Sequence, residues 1–203
     1  MVNEVLLVIT DEYADWEAAM LAAAIDSKAD DGTQKYFIKT VSLTHDPIRS
    51  IGGFTVLPDY SVEDVPDDYA ALILIGGDNW RKPESMVVKQ LVEDAAKRDI
   101  LIGGICDGSV FLGMIGMLNE VKHTSNELED LQAAAGEAYT NAENYVHEQA
   151  VIDGNIVTAN GSAYLEFTRE ILLWLDVAPS EEVAEWYDFY KLGYIEMMKR
   201  EQK

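Results

Sequence analysis

Cysteine occurs once in this chain, at position 106, so no internal disulfide can form and no multi-thiolate metal site can be built. A reducing compartment fits and structural zinc does not. Basic residues are scarce: 15 Lys and Arg face 37 Asp and Glu, a formal net charge of −22. Such a surplus of acid repels phosphate backbones and anionic lipid heads, which argues against nucleic-acid and membrane partners and leaves neutral or cationic small molecules. Long apolar runs are missing as well. The opening "MVNEVLLVITDEYADWE" holds one short apolar stretch, over 5–10, with acids on both sides. That is neither a secretory signal nor a membrane span, and a cytoplasmic protein is expected. Histidine is limited to His45, His123 and His147, which restricts any mechanism that pairs cysteine with imidazole. No repeat and no low-complexity tract is present.

What the chain does have is ample apolar content, 48% over 203 residues, enough for one sizeable core. Segments 4–10, 36–43, 71–77, 100–105 and 155–161 read as strands, several of them apolar throughout, which points to a parallel sheet covered on both faces. Segments 16–29, 84–99, 109–118 and 164–176 carry apolar residues at helical spacing. Alternation of the two predicts an α/β, doubly wound, mostly parallel sheet with helices on both faces. "IGGFTV" (51–56) and "VIDGNIV" (151–157) read as small β-hairpin additions, the second turning at Asp153-Gly154. One domain over 1–178 is expected, followed by a C-terminal amphipathic helix over 179–203 packed on it. In that helix Trp186, Tyr190 and Tyr194, four apart, would share one face, either packed on the domain or forming a dimer contact or lid.

The stretch "LIGGICDGSVFLG" (101–113) carries the chemistry. An apolar strand ends, Gly104 and Gly108 allow a turn too tight for side chains, and a helical pattern begins at once. This is the pattern of a nucleophile elbow with Cys106 in the place of serine. Such a turn lifts the sulfur above the carboxyl ends of the strands and aims a helix N-terminus at it, which favours thiolate over thiol. Asp107 opposes that shift if its carboxylate lies close. The bland alternative is a buried cysteine filling core. "GGDNW" (76–80) ends another strand: the N–H groups of Gly76 and Gly77, with that of Asp107, could form an oxyanion hole, while Asp78 and Asn79 line its rim and Trp80 walls the pocket or covers core.

Taken in order, "LLVITDEYADWEAA", "ALILIGGDNW", "LIGGICDGSVFLG" and "VIDGNIVTANGSAYLEFTREIL" resemble the ThiJ/PfpI superfamily, which includes DJ-one and belongs to the class I glutamine-amidotransferase-like group. The resemblance implies a flavodoxin-like sandwich, a reactive cysteine at Cys106, Glu17 as the acid that contacts it, and a homodimer. It also implies a histidine downstream of the elbow, near "KHTSN" (122–126): the role is carried to His123, although one alignment puts Asn126 there. Peptidase members place histidine directly after the nucleophile, where this chain has Asp107. True amidotransferases have a His-Glu pair where this chain has "GSAYLEF", with Glu166 and no histidine beside it.

The residues support the Cys106–Glu17 pairing independently, because Glu17 starts the helix after the first strand and should reach the same sheet edge. Next to a thiolate, and partly desolvated by Tyr13 and Trp16, its carboxyl should have a raised pKa and could shuttle protons. Three classes of function follow. One is an amidase- or peptidase-like, or glyoxalase- or deglycase-type, enzyme acting on a small carbonyl or amide substrate; the second is an oxidation sensor using a low-pKa cysteine; the third is a chaperone-like dimer without turnover. The scarcity of histidine weakens hydrolysis more than carbonyl addition. No metal and no cofactor is expected.

Overall fold

Apolar runs without alternation belong where both faces of a sheet are covered. In the computed structural model, which describes residues 3–27 and 32–201, they take those places. The strands in chain order are β1 (Asn3–Val8), β2 (Tyr36–Ser42), β3 (Ile48–Arg49), β4 (Thr55–Val56), β5 (Tyr60–Ser61), β6 (Ala71–Leu74), β7 (Leu101–Ile105), β8 (Ala150–Asp153) and β9 (Ile156–Ala159). The helices are α1 (Asp15–Ile25), α2 (Val88–Lys97), α3 (Asp107–Met114), α4 (Leu128–Ala135), α5 (Tyr164–Trp174), α6 (Ser180–Leu192) and α7 (Tyr194–Glu201). A seven-stranded sheet runs β5-β2-β1-β6-β7-β9-β8, parallel except for β8 at one edge. Its five principal strands, β2-β1-β6-β7-β9, follow the 2-1-3-4-5 order of a flavodoxin-like sheet, with the switch point between β1 and β6.

Successive side chains along each central strand feed opposite layers. Val5, Leu7, Ile73 and Ile105 face α1 and α5 in a cluster with Leu21, Phe167 and Ile171. Leu6, Val8, Leu72 and Ile102 face the other way, onto Val92 of α2, Phe111 of α3 and Leu131 of α4. Register is fixed across the centre by pairs such as Val5↔Ala71, Leu72↔Ile102 and Gly103↔Val157.

Where the structure differs from the sequence expectation, local reasons are visible. The helix expected over 84–99 divides into a 3₁₀ turn (Pro83–Val87) and α2. That expected over 16–29 is seen to Ile25, and its last two positions lie outside the described residues. "IGGFTV" supplies the turn and the second strand of a hairpin whose first strand is Ile48–Arg49. The second hairpin is β8–β9, turning at Asp153-Gly154, and β9 also pairs in parallel with β7, so this hairpin is the edge of the main sheet and not an ornament. β5 and α4 had no clear signal, since β5 is two residues long and α4 buries only Leu131. The C-terminal segment is two helices, not one: Gly193, at φ +85°, ends α6 and α7 starts anew, while 202–203 lie outside the described residues. Val183 and Trp186 of α6 pack onto the core, whereas Tyr194 lies on α7 and is 60% exposed, so the three aromatics do not form one face of one helix. Among the described residues no helix is long and apolar enough to cross a membrane.

Candidate active site

β7 ends at Ile105 and α3 begins at Asp107, leaving Cys106 alone in the turn between them with φ +54° and ψ −129°. A side chain in that region is strained, at a cost of order 1–3 kcal/mol, and persists only where its surroundings over-determine it. Here they do. The Cys106 N–H donates to Ala159 O of β9 at 3.0 Å, and its carbonyl accepts from the Ser109 and Val110 N–H groups and from Ser109 Oγ at 2.6 Å. The elbow expected from the glycine spacing is therefore present, and the half-buried sulfur sits at the carboxyl edge of the sheet.

Glu17 arrives from the first turn of α1, fully buried. Its Oε2 accepts the Gly76 N–H at 2.8 Å, while Oε1 is buried without a hydrogen-bond partner and lies beside the thiol. The contact exists because two residues lack side chains. A Cβ on Gly76 would come within 2.5 Å of both Cys106 Cβ and Glu17 Oε2, and one on Gly161 within 3.0 Å of the sulfur and 3.1 Å of Oε1. Burial drives the Glu17 pKa up to about 7, against the Gly76 hydrogen bond and the adjacent thiol, which pull it down. The raised carboxyl expected from sequence is thus found, although Trp16 is 47% exposed, donating its indole N–H to Gly161 O.

The same arrangement overturns the expectation of a low-pKa thiol. Burial, then the charge of Glu17, push Cys106 up to about 11, against hydrogen bonds from Asn126 and from the Asp107 N–H. Desolvation and a second acid outweigh the helix N-terminus.

Two further expectations are corrected. Gly76 does not offer its N–H to an oxyanion, because Glu17 already occupies it; Gly77 is buried where Tyr13 and the strand ends meet. His123 does not reach the sulfur. It is fully buried with Nδ1 on Val121 O at 2.8 Å and Nε2 on Tyr139 Oη at 2.7 Å, its ring edge-on to Tyr139 and Tyr145. The side chain that takes the third position is Asn126, which donates Nδ2 to Sγ at 3.3 Å and accepts the Gly161 N–H at 2.9 Å. Three residues of offset in "KHTSN" decide which side chain faces the thiol. His147 packs edge-on against Tyr145, and the exposed His45 Nε2 lies 2.8 Å from Asp64 Oδ2.

Asp78 and Asn79 line a groove of about 550 Å³ with Asp11, Glu12, Arg49 and Lys82, a groove that Cys106 does not line. Asn79 Nδ2 donates to Asp11 O at 2.8 Å. Trp80 is core: fully buried, bonded to Ile75 O and packed on Phe111. Glu166 holds Tyr187 and Lys191 of α6, so it serves helix packing. Sequence reasoning missed Gly161, Arg81 and Asp130. Gly161 carried a weak signal, a glycine just past a strand; Arg81 and Asp130 carried none, since Arg81 meets Asp107 and Asp130 only in three dimensions.

The strained cysteine on the turn after the fourth principal strand and the buried glutamate from the first helix lie within residues 3–173, which the model of the DJ-1/PfpI family matches. The chain belongs to the DJ-1/PfpI family. A Bacillus subtilis relative described as the uncharacterized protease YdeA is 35% identical over 196 residues, 95% of this chain and 93% of the relative. Among solved DJ-1/PfpI structures, the DJ-1 superfamily protein Atu0886 from Agrobacterium tumefaciens is 36% identical with a TM-score of 0.83, covering 93% of this chain and 97% of that one. A thiJ/pfpI family protein from Bacillus anthracis is 30% identical, TM-score 0.84, over 94% and 91% of the two chains. The flavodoxin-like sheet expected from the sequence is therefore both built and shared with the DJ-1/PfpI relatives.

Proposed function

We propose that the protein is a cysteine-dependent enzyme acting on small reactive carbonyls, with Cys106 as nucleophile and Glu17 as proton carrier. The observation that carries this reading is the buried Glu17 carboxyl, titrating near 7 beside the thiol with one oxygen unpartnered, where no histidine stands on the sulfur. A base poised near the working pH suits proton transfer to and from a reacting group. In the proposed step sulfur attacks an aldehyde carbon: the S–C bond forms, the C=O π pair moves to oxygen, Glu17 takes the thiol proton and returns one to that oxygen. The product is a hemithioacetal and no leaving group departs. With a 2-oxoaldehyde the same carboxyl moves the C1 proton to C2 through an enediol, and water then cleaves the thioester to a 2-hydroxy acid. Amide hydrolysis needs an acid for the leaving amine, and the missing histidine weighs against it.

The test uses methylglyoxal and iodoacetamide on the wild type, Cys106→Ser and Glu17→Gln. Alkylation needs only thiolate, so Glu17→Gln should alkylate faster at neutral pH yet turn methylglyoxal over more slowly, by roughly 10²-fold. Cys106→Ser should lose both. No turnover by the wild type, or turnover that survives in Cys106→Ser, overturns the reading.

A further inference from the structure

Two acids crowd the thiol. Glu17 approaches from α1, and Asp107 follows Cys106 directly; the charges that reach the sulfur from neighbouring elements are these two carboxylates. The cation that pairs with Asp107 is Arg81, from the loop after β6. Its Nε and Nη2 donate to Asp107 Oδ2 and Oδ1 at 2.7 and 2.8 Å, and its Nη1 and Nη2 donate to Asp130 Oδ1 and Oδ2 at 2.9 and 2.6 Å. One guanidinium thus bridges the first turns of α3 and α4. The Asp107 side chain is only 16% exposed, so this pair is better shielded from water than an ordinary surface bridge. Two bidentate pairings fix the direction of a carboxylate as well as its charge, which a lysine could not do.

We propose that Arg81 is a positioning residue for Cys106: by pinning the Asp107 carboxylate in a bidentate pair it compensates that charge and limits how much of it the sulfur feels, while the N–H donors of Asp107 and Asn126 face the sulfur. The arrangement explains how an acid is tolerated directly after the nucleophile. Asp107 keeps a favourable place in the first turn of α3. Its carboxylate is compensated by a cation the sequence places 26 residues away. Arg81 does not touch the sulfur and acts only through Asp107. The inference deepens the enzymatic reading but is tested on the thiol alone, so absence of methylglyoxal turnover would sink that reading without touching this one.

The experiment is the rate of iodoacetamide alkylation against pH, read from intact mass, in the wild type, Arg81→Met, Asp107→Asn, Arg81→Met/Asp107→Asn and Asp130→Asn. Arg81→Met should move the inflection upward by about half a pH unit and slow alkylation at neutral pH about threefold, as a smaller thiolate fraction requires. The double variant should recover to the Asp107→Asn rate, because with no carboxylate there is nothing left to compensate. Asp130→Asn, which leaves the Arg81–Asp107 pair intact, should keep the wild-type inflection. A purely structural Arg81 would lower the melting temperature of Arg81→Met and leave its inflection in place, and that result overturns the proposal. So does a double variant that stays as slow as Arg81→Met. If Arg81→Met does not fold, the double variant against Asp107→Asn still decides: a residual difference in inflection between them shows that Arg81 acts other than through Asp107.

Discussion

Two buried polar clusters within this one domain differ in how far their polar groups are satisfied. Around His123 both ring nitrogens have partners, on Val121 O and Tyr139 Oη, and burial lowers the imidazole pKa, keeping it neutral. Around Cys106 the accounting is incomplete: Glu17 Oε1 has no partner, its carboxyl is driven up to about 7, and the cysteine backbone is held at positive φ. Buried polar groups are normally satisfied, and those that are not mark strain or chemistry. The histidine reads as structure and the cysteine–glutamate pair as candidate site, although a chemist scanning for catalytic residue types would pick all three.

The comparison breaks most plainly at His123. Its replacement by alanine removes a fully buried ring and orphans the Tyr139 hydroxyl, so a loss of roughly 4 kcal/mol in urea denaturation is expected, with the alkylation profile of Cys106 unchanged. A folded His123→Ala protein whose thiol no longer reacts would put the histidine back in the site. At the other cluster the effect should depend on pH. Glu17 holds its proton in the folded state up to about 7, while the unfolded chain releases it near the ordinary glutamate value, so wild-type stability falls as pH rises between the two. Glu17→Gln should therefore be more stable than the wild type at pH 8 by about 3 kcal/mol, and equal to it below the unfolded value. A gap that does not change with pH would show that Glu17 is not desolvated in solution. The smallest effect concerns the strained turn. Cys106→Gly should be more stable than Cys106→Ala by about 1 kcal/mol, the strain released less the chain entropy that glycine adds, and equal midpoints would deny the strain.

The elements that make the sheet were legible because their apolar runs leave no choice. "EVLLV", "ALIL" and "LIGGI" cannot expose a face without exposing core, and they alternate with helical patterns that must cover them. The elbow was legible for a similar local reason, since glycines at 104 and 108 around a lone cysteine permit one kind of strand-to-helix turn. Glu17 also followed from its distance past β1. β5, α4 and the break at Gly193 escaped because two-residue strands, a helix with one buried leucine and a single glycine leave little pattern to read.

The sequence by itself determined the layers, the sheet edge that bears the site and the pairing of Cys106 with Glu17, because periodicity and turn chemistry are local and short-ranged. Only the tertiary structure decided how those two groups ionise, which side chain of "KHTSN" faces the sulfur and what neutralises Asp107. Burial, a three-residue choice of facing and an arginine arriving from another loop are sums over neighbours distant in the chain. A carboxyl that titrates near 7 and a thiol near 11 are properties of the space enclosed between Gly76 and Gly161, and that space exists only once β6, β7, β9 and α1 have met.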